Sequence, residues 1–498
     1  MRISYLFTEN SKNNSYMTYS KKTVLAFCAG LGLALSVRAQ EDNLHRRSAI
    51  YEAPKDAKVI EKLDRWQDQK FGMIIHWGIY AVPGIIESWS ICSEDWIERD
   101  STITYNDYKK WYWGQSKKFN PVNFNPEQWA DAADAAGMRY LVFTTKHHDG
   151  FNMFDTRQSD FKISNGPFAD DPRADVARYV FDAFRKKGFM IGAYFSKPDW
   201  HSEYYWWRKY ATPTRNNNYD IRKNPWRWNK FKDFTYNQIS ELMHNYGSID
   251  ILWLDGGWVR PRETVNDEVL SWGAPIPEWS QDIDMPRIAA MAREAQPGIL
   301  MVDRTVHGPY ENYQTPEQRI PDEKIDNPWE SCMTLGNAWS HVPGDKFKST
   351  AKVIHSLVEI VAKGGSLLLG VGPKPDGTLS QEVIDRLKDI GKWMSENGEA
   401  IYNTRTVDHY SDENTYFTQN PKKKKTYAIV CLPENKTIPE VVTWTGNLPK
   451  KGSSMKLLQT GKNVKWEKEG NQVKIFLPAS LQQNKDVPAI AFSYTREK

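Results

Sequence analysis

The sequence predicts an α/β protein whose main unit is a (β/α)8-like barrel, which need not be regular, followed by an antiparallel β-sandwich. Two observations favour this fold class. From about residue 51 to residue 402, short apolar runs alternate with longer amphipathic stretches, which is typical of parallel strands joined by helices. In the last hundred residues the apolar runs are split by Gly, Pro, Asn and Lys, which is typical of antiparallel strands. We therefore expect a barrel over residues 50–400 and a sandwich over residues 401–498.

Six apolar runs predict the strands of the barrel. They cover residues 72–77, 139–145, 189–196, 249–255, 299–303 and 366–371. The stretches between them predict helices over residues 126–137, 175–188 and 229–246, the first with Pro126-Glu127 at its start and a glycine at its end. A doubly wound open sheet is the alternative, but no Gly-rich nucleotide fingerprint follows the first strand. Five further runs predict strands of the sandwich, over residues 426–432, 441–445, 456–458, 473–477 and 489–494.

Residues 1–39 have the pattern of a secretory signal peptide. Lys21-Lys22 precede an apolar run over residues 23–36, and Val37-Arg38-Ala39 offers a small-residue cleavage site. The apolar run is too short to span a bilayer, and Met17 is a candidate for the true start. We expect export to the periplasm, with the cell surface or the medium as alternative destinations.

Composition narrows the possible partners. A formal net charge of +4 over 498 residues is too small to indicate a nucleic acid or an anionic membrane. Aromatic residues make up 13% of the chain, which fits either a carbohydrate enzyme, since aromatic faces pack on sugar rings, or a large aromatic core. Cys92, Cys332 and Cys431 show no CxxC or zinc spacing, so we expect neither a disulfide framework nor a zinc site.

The fourth predicted strand carries the most informative pattern. It is an apolar run that ends in Asp255, followed by Gly256 and Gly257. Side chains at the carboxyl ends of barrel strands line the active site. A carboxylate there is costly to hold unless it has partners or a function. The alternative is a turn residue, since Asp-Gly sequences favour turns.

Polar residues also follow the other predicted barrel strands, with His76, His147 and His148 among them. In a barrel these groups converge on one mouth, where two chemistries could use them. A metal site would combine the three histidines with Asp255, but there is no HxH or HExxH spacing, and adjacent side chains on a strand point to opposite faces. Glycoside cleavage would instead pair an ionised carboxylate nucleophile with a protonated acid.

Four sequence blocks carry a resemblance to a known family. They are FGMIIHWGIY over residues 71–80, TKHHDGF over residues 145–151, WLDG over residues 253–256 and GGSLLL over residues 364–369. From about Leu63 to the C-terminus the chain resembles glycoside hydrolase family 29, the retaining α-L-fucosidases. That family pairs a barrel with a C-terminal β-sandwich, so the resemblance implies the same fold as the apolar pattern.

The resemblance also implies roles for individual residues. Asp255 matches the nucleophile, and Glu317, in the segment YQTPEQ, resembles the acid/base residue, with Glu311 and Glu330 as competitors. The side chains that the resemblance implies for sugar binding are His76, Glu87, Trp89, His147, His148, Tyr194, Trp253 and Arg304.

The chain departs from the family pattern in two places near this site. Glu87-Ser88-Trp89 separates a Glu-Trp pair that is adjacent in the family, so one of its two outer residues is expected to be displaced. Phe195 follows Tyr194 where the family often has a second Tyr. The first departure bears on recognition of the outer hydroxyls of the sugar.

The function that the resemblance implies is that of a retaining exo-α-L-fucosidase acting on fucosylated oligosaccharides or glycoconjugates, with no cofactor and no metal. Two alternatives remain open. The chain could be a glycosidase for a related L-sugar, such as an α-L-galactoside, because one missing hydroxyl is a modest distinction in a tolerant pocket. It could also be a non-catalytic carbohydrate-binding protein on the same scaffold.

Overall fold

A parallel sheet of seven strands forms the centre of the first part of the chain, in the order β5-β4-β3-β2-β1-β7-β6. The computed structural model describes residues 51–94, 97, 99, 101–271, 273, 275–482, 484 and 487–497, so the predicted signal peptide lies outside the described residues. The strands are β1 (Phe71–Ile75), β2 (Tyr140–Lys146), β3 (Met190–Ser196), β4 (Ile251–Asp255), β5 (Leu300–Asp303), β6 (Glu330–Thr334) and β7 (Ser366–Val371).

Helices separate these strands along the chain. They are α1 (Ala57–Gln69), α2 (Tyr105–Trp113), α3 (Pro126–Ala135), α4 (Val176–Lys186), α5 (Pro225–Asn245), α6 (Asp267–Ser271), α7 (Met285–Ala295), α8 (Thr350–Ala362) and α9 (Gln381–Asn397). The three predicted helices are found as α3, α4 and α5. At the start of α3 the Asn125 side chain accepts the backbone N–H of Gln128 and Pro126 takes the first turn, which is a favourable helix start.

Side chains of the parallel strands alternate between two cores. Ile74, Val142 and Trp253 belong to a cluster inside the barrel. Phe143 and Leu254 belong to the larger cluster that the strands share with the helices. Because the strands contribute to both cores, β2 and β3 are buried over their whole length, as expected for central strands of a covered parallel sheet.

The barrel is closed by an irregular segment rather than by an eighth regular strand. Residues 311–318 lie between β5 and β6: the N–H of Asn312 donates to the carbonyl of Met301 at 2.8 Å, and the N–H of Gln318 donates to the carbonyl of Cys332 at 2.9 Å. The segment runs antiparallel to β5 and parallel to β6. The predicted fold class, an irregular barrel, is confirmed.

Strand β6 corrects the sequence prediction, which contains no strand over these residues. Its sequence, Glu-Ser-Cys-Met-Thr, is mostly polar or small, so it lacks the apolar run that marks the other barrel strands. The polar side chains are nevertheless buried, because β6 packs between β7 and the closing segment. Partners from the rest of the fold therefore determine this strand more than its own composition does.

The second part of the chain forms one antiparallel sheet of eight strands, in the order β11-β14-β13-β12-β15-β10-β9-β8. The strands are β8 (Ser411–Asp412), β9 (Thr415–Asn420), β10 (Lys425–Cys431), β11 (Val441–Thr445), β12 (Met455–Leu457), β13 (Asn463–Glu469), β14 (Gln472–Phe476) and β15 (Ala489–Tyr494). Trp444, Tyr494, Phe417 and Phe492 are the largest side chains of its separate core. Strands β8, β9 and β13 were not predicted, because they are rich in polar residues.

Two further observations concern the cysteines and the described helices. Cys92, Cys332 and Cys431 are all buried free thiols. Among the described helices, none combines the length and the apolarity needed to cross a membrane.

Candidate active site

A cavity of about 430 Å³ opens at the carboxyl ends of the barrel strands. Its volume falls in the range of a small-molecule site, roughly 300–1,000 Å³. All ten residues expected from the sequence contribute to its wall: His76, Glu87, Trp89, His147, His148, Tyr194, Trp253, Asp255, Arg304 and Glu317. The folded chain thus brings together groups from five strand ends and from the closing segment.

Asp255 is the last residue of β4 and is held by three partners. Its Oδ1 accepts a hydrogen bond from the guanidinium of Arg304 at 2.8 Å, and its Oδ2 accepts one from the Tyr194 hydroxyl at 2.6 Å. The Nε2 of His148 lies 3.7 Å from Oδ2. Burial alone raises the pKa of Asp255, but Arg304, His148 and Tyr194 outweigh it, so the pKa lies well below its usual range. The side chain is therefore an anion that faces the cavity, with 17% of its surface exposed.

Glu317 lies on the closing segment, opposite Asp255. Its Oε2 accepts a hydrogen bond from Arg304 at 2.8 Å, and its Oε1 accepts one from the indole N–H of Trp339 at 3.2 Å. The side chain is 44% exposed, which makes it much more accessible than Asp255. Arg304 thus contacts Asp255 with one terminal nitrogen and Glu317 with the other, and its planar guanidinium fixes the relation between the two carboxyl groups.

The floor beneath this pair is aromatic and apolar. The guanidinium carbon of Arg304 lies 4.6 Å from the ring centroid of Trp253. Trp253 in turn stacks with Tyr194 at 5.2 Å, and Ile74 completes the floor. The neighbouring Phe195 points away from the cavity into the outer core, so the second departure from the family pattern does not reach the site.

His147 and His148 both face the cavity because β2 ends at Lys146 and the chain has already left strand geometry. The Nδ1 of His147 is hydrogen-bonded to the Ser88 hydroxyl, and the Nδ1 of His148 to the Ser196 hydroxyl. Burial lowers the pKa of His148 to about 3 and lowers the pKa values of His147 and His76 as well. All three imidazoles are therefore neutral at ordinary pH and suited to hydrogen bonding with hydroxyls.

The geometry also bears on the metal alternative. Donor atoms of His147, His148 and Asp255 lie within 4.8 Å of one another, so three potential ligands are close together. However, the positive guanidinium of Arg304 is 2.8 Å from Asp255, which disfavours a second cation at that carboxylate. The expectation of a metal-free site remains a prediction.

Glu87 and Trp89 both reach the cavity, although Ser88 separates them. Both residues therefore line the cavity, and the displacement of one of them relative to the adjacent pair of the family stays a prediction. Residues 88–91 form a tight turn, which presents both outer residues on one side while Ser88 contacts His147. Glu87 Oε1 accepts the backbone N–H of Ser340 at 2.9 Å, and burial raises the pKa of Glu87 to about 7.

The two competing acids are placed outside the cavity wall. Glu330 is buried in the barrel, where it accepts hydrogen bonds from the Tyr140 hydroxyl at 2.7 Å and the Trp253 indole at 3.2 Å. Glu311 is buried against His307, with its Oε2 at 2.7 Å from the ring. Of the three candidates, only Glu317 faces the same space as Asp255.

Sequence reasoning did not find Trp339, Arg215 and Trp258, which also line the cavity. Trp339 lies in an irregular loop and places its ring 5.1 Å from that of His76. The guanidinium of Arg215 lies 4.9 Å from the ring of Trp89 and 5.2 Å from that of Trp258. Arg215 and Trp339 come from long connections without periodic patterning, so no local signal marks them as site residues.

A parallel barrel that presents two carboxyl groups, with neutral imidazoles beside them, on one cavity at its strand ends has the arrangement of the barrel glycoside hydrolases. Comparison with known proteins is consistent with this class. A family model described as Alpha-L-fucosidase matches residues 38–399. Human plasma alpha-L-fucosidase is 28% identical over 386 residues, which cover 74% of this chain and 76% of that protein.

Solved structures give the same result. Alpha-L-fucosidase isoenzyme 1 from Paenibacillus thiaminolyticus is 30% identical with a TM-score of 0.71, and the match covers 89% of this chain and 100% of that one. The Thermotoga maritima alpha-fucosidase in complex with fucose shares the fold at 23% identity, with a TM-score of 0.67 and the same coverage of 89% and 100%. The chain belongs to the alpha-L-fucosidase family, glycoside hydrolase family 29, and the resemblance carried by the sequence motifs is confirmed.

Proposed function

We propose that the chain is a retaining exo-α-L-fucosidase that releases terminal α-L-fucosyl units from glycans, with Asp255 as nucleophile and Glu317 as acid/base. The observation that carries the proposal is the shared contact of both side chains with Arg304. Arg304 thereby holds the Asp255 carboxylate and the more exposed carboxyl group of Glu317 at the same cavity. Retaining glycosidases need these groups about 5–5.5 Å apart.

In the first step, Asp255 attacks the anomeric carbon of the bound sugar. The bond from that carbon to the leaving oxygen breaks, and Glu317 donates its proton to that oxygen. The product is a glycosyl ester of Asp255 together with the free aglycone. Arg304 and Tyr194 keep Asp255 ionised and oriented for this attack.

In the second step, Glu317, now a carboxylate, takes a proton from a water molecule. The resulting oxygen attacks the anomeric carbon, and the ester bond to Asp255 breaks. Two inversions at one carbon give net retention of configuration. The neutral imidazoles of His76, His147 and His148 bind the sugar hydroxyls throughout.

The shape of the cavity supports removal of a single terminal sugar. Trp253 and Ile74 close the floor, so the chain of sugars can extend only outward. The apolar surfaces of Trp253 and Trp339 are suited to the C6 methyl group of L-fucose. An α-L-galactoside would carry a hydroxyl there. Comparing the kcat/KM values for aryl α-L-fucoside and aryl α-L-galactoside tests this preference, and faster turnover of the galactoside would overturn it.

We also propose that residues 1–39 direct export, most simply to the periplasm. The basic Lys21-Lys22 and the apolar run that follows support this proposal. A division of the mature chain near residue 400 is supported by the end of α9 at Asn397 and the start of β8 at Ser411. N-terminal sequencing of the exported protein tests the cleavage after Ala39.

Covalent labelling tests the mechanism. Incubation with 2-fluoro-fucosyl fluoride should slow both steps and trap the glycosyl ester, which intact mass spectrometry detects as one adduct. Peptide mapping should place the adduct on Asp255, and an Asp255→Asn variant should remain unlabelled. An adduct on another residue, or an inverted product detected by NMR at early times, would refute the proposal.

A further inference from the structure

One segment of the mouth combines exposed aromatic rings with positive charge. The connection from β3 to α5 and the first turns of α5 contain eight Lys or Arg and one Asp over residues 208–232, a net charge of +7. The whole chain has a formal net charge of +4, so this short segment exceeds the charge of the entire molecule. Acids outside the segment balance part of this charge, since Arg208 pairs with Glu203 and Arg215 with Glu94, and the positive charge that remains favours an anionic partner.

The aromatic side chains of this segment are unusually exposed. Trp226, Tyr210 and Tyr204 are exposed to 55%, 44% and 36%. Within the described residues, no other aromatic side chain is as exposed as these three. Isolated exposed apolar residues are common, but three aromatic residues in one segment form a patch, and such patches mark binding surfaces.

The rings and cations of this segment are in contact. Trp207 lies 5.2 Å from Tyr210, and the Arg227 guanidinium lies 4.0 Å from Trp207 and 4.9 Å from Trp226. Lys209 Nζ lies 5.3 Å from the ring of Trp207. We call this surface the aromatic rim and define it as Tyr204, Trp207, Lys209, Tyr210, Trp226 and Lys230.

Two lysines of the aromatic rim are available to a ligand. Lys230 is one helical turn after Trp226 on α5, so the two side chains share a face. Lys209 and Lys230 are exposed, and neither forms an ion pair with another described residue. Arg208 and Arg222, in contrast, contact Glu203 and Asp220.

The aromatic rim is linked to the active site through two buried rings and through the connection that carries Arg215 of the cavity wall. It follows β3, whose carboxyl end faces the cavity. The ring of Trp200 lies 5.2 Å from His148 and stacks on Trp206 at 5.1 Å, and Trp207 is the next residue.

On the surface the link is Arg215, which lines the cavity. Three residues further on, the Asn218 side chain hydrogen-bonds the backbone of Trp207 and Tyr210, so a glycan that leaves the cavity past Arg215 runs toward the rim.

We propose that the aromatic rim binds the outer part of an anionic glycan, with the rings stacking on sugar faces and Lys209 and Lys230 contacting sulfate or carboxylate groups. The inference rests on the proposed function, because it takes the sugar chain to extend from that cavity. Stacking rings beside cations would also suit single-stranded nucleic acid. The glycan is favoured because the same connection carries Arg215, which lines the cavity of the proposed glycosidase.

Binding to the full chain in an Asp255→Ala background, which leaves the ligands intact, tests the proposal. Titration calorimetry would use a sulfated fuco-oligosaccharide, its desulfated counterpart, a carboxylated fucosylated oligosaccharide and single-stranded DNA. Trp226→Ala should weaken binding of the sulfated ligand by about fivefold to tenfold, the scale of an important interface aromatic. The control Val122→Ala, also at an exposed apolar residue, should change nothing.

A second binding experiment reverses the charge of the two exposed lysines of the rim. Lys209→Glu with Lys230→Glu should weaken binding of the sulfated ligand and leave binding of the desulfated one unchanged. Lys436→Glu with Lys451→Glu, at exposed lysines in connections between strands of the second sheet, should affect neither. If the sulfated and the carboxylated oligosaccharide both bind, the proposal is supported and the rim accepts either anionic group. If only the sulfated oligosaccharide binds, the anionic group that the rim recognises is sulfate. Equal affinity for the desulfated ligand, tighter binding of DNA, or unchanged affinity in both rim variants would overturn it.

The same variants in the active chain separate this inference from the proposed function. Turnover of aryl α-L-fucoside should be unchanged by Trp226→Ala, while the KM for the sulfated oligosaccharide should rise. If the wild-type chain does not hydrolyse the aryl fucoside, the proposed function fails. If it does and the rim variants bind the oligosaccharide normally, the aromatic rim alone fails.

Discussion

At the scale of single residues, the proposed mechanism assigns the nucleophile to Asp255. Its replacement by Ala should lower kcat by about 10⁴-fold or more, because the carboxylate that forms the glycosyl ester is removed. Azide should partly restore turnover of an activated fucoside by Asp255→Gly. Since azide then attacks from the vacated side in one displacement, the product should be the inverted fucosyl azide, which NMR identifies. A variant with near-normal kcat would show that Asp255 is not the nucleophile.

Glu317 is distinguished from its two competitors by a second rescue experiment. Glu317→Ala should lose activity on poor leaving groups much more than on activated ones. Azide should rescue its turnover with retained configuration, because the ester of Asp255 still forms. Glu311→Ala and Glu330→Ala are matched controls, since both acids lie outside the cavity wall. Rescue of either one instead would move the acid/base role away from Glu317.

The sequence was informative about Asp255 because one physical rule was sufficient to place it. An apolar strand that ends in a carboxylate and two glycines puts that carboxylate at the mouth of a barrel. Trp339 could not be found in this way. It is brought to Glu317 by a loop whose path depends on distant contacts, such as that between the Ser340 hydroxyl and the carbonyl of Ile85.

At the scale of elements, the loop after β6 joins two parts of the site. Asp345 accepts the backbone N–H groups of Asn337 and Ala338, which holds the loop in place. The loop then presents the Trp339 indole to Glu317 and the Ser340 N–H to Glu87. Glu317 is therefore positioned by this loop as well as by Arg304.

Replacing Trp339 by Phe should test that positioning. Phe keeps most of the apolar surface but removes the hydrogen bond to Glu317, which should lower kcat by about threefold to tenfold, the value of roughly one hydrogen bond. KM should change little, whereas Trp339→Ala should raise it as well. Steady-state kinetics on one aryl fucoside separates these effects. An unchanged kcat for Trp339→Phe would mean that Arg304 alone positions Glu317.

His307 links the closing segment to α6. Its two ring nitrogens contact Glu311 at 2.7 Å and Glu268 at 2.8 Å. Burial opposes the charge on His307, but the two carboxylates dominate and raise its pKa to about 10. In the unfolded chain the pKa of a histidine is about 6.5. The folded state therefore holds more protons between these two values, and stability should fall as the pH rises through this window.

The His307→Gln variant should lack this part of the pH dependence. For the wild-type protein, the thermal midpoint should decrease between pH 7 and pH 10, and the decrease should be smaller in the variant. Differential scanning calorimetry at several pH values provides the comparison. Parallel curves for the two proteins would show that the titration of His307 is not coupled to folding.

At the scale of the whole molecule, the fold class could be predicted because alternation of apolar and amphipathic segments is a property of the entire chain. The closing segment and β6 could not, since Glu330 and Ser331 are polar residues buried only through partners such as Tyr140. Local composition is a poor guide where the barrel departs from regularity. Glu317, the proposed acid/base residue, lies in that same region, so the local sequence marks it less clearly than Asp255.

Metal dependence is also a property of the assembled site rather than of any motif. His147, His148 and Asp255 bring three donors within 4.8 Å, a grouping that taken alone would suit a metal ion. Arg304 already supplies the positive charge at Asp255, and an ion would have to be desolvated beside that guanidinium. We therefore expect dialysis against a chelator to leave kcat and KM unchanged, and added zinc to leave them unchanged or to inhibit. Loss of activity on chelation, with recovery on adding a metal, would mean that the histidines bind an ion and not the sugar.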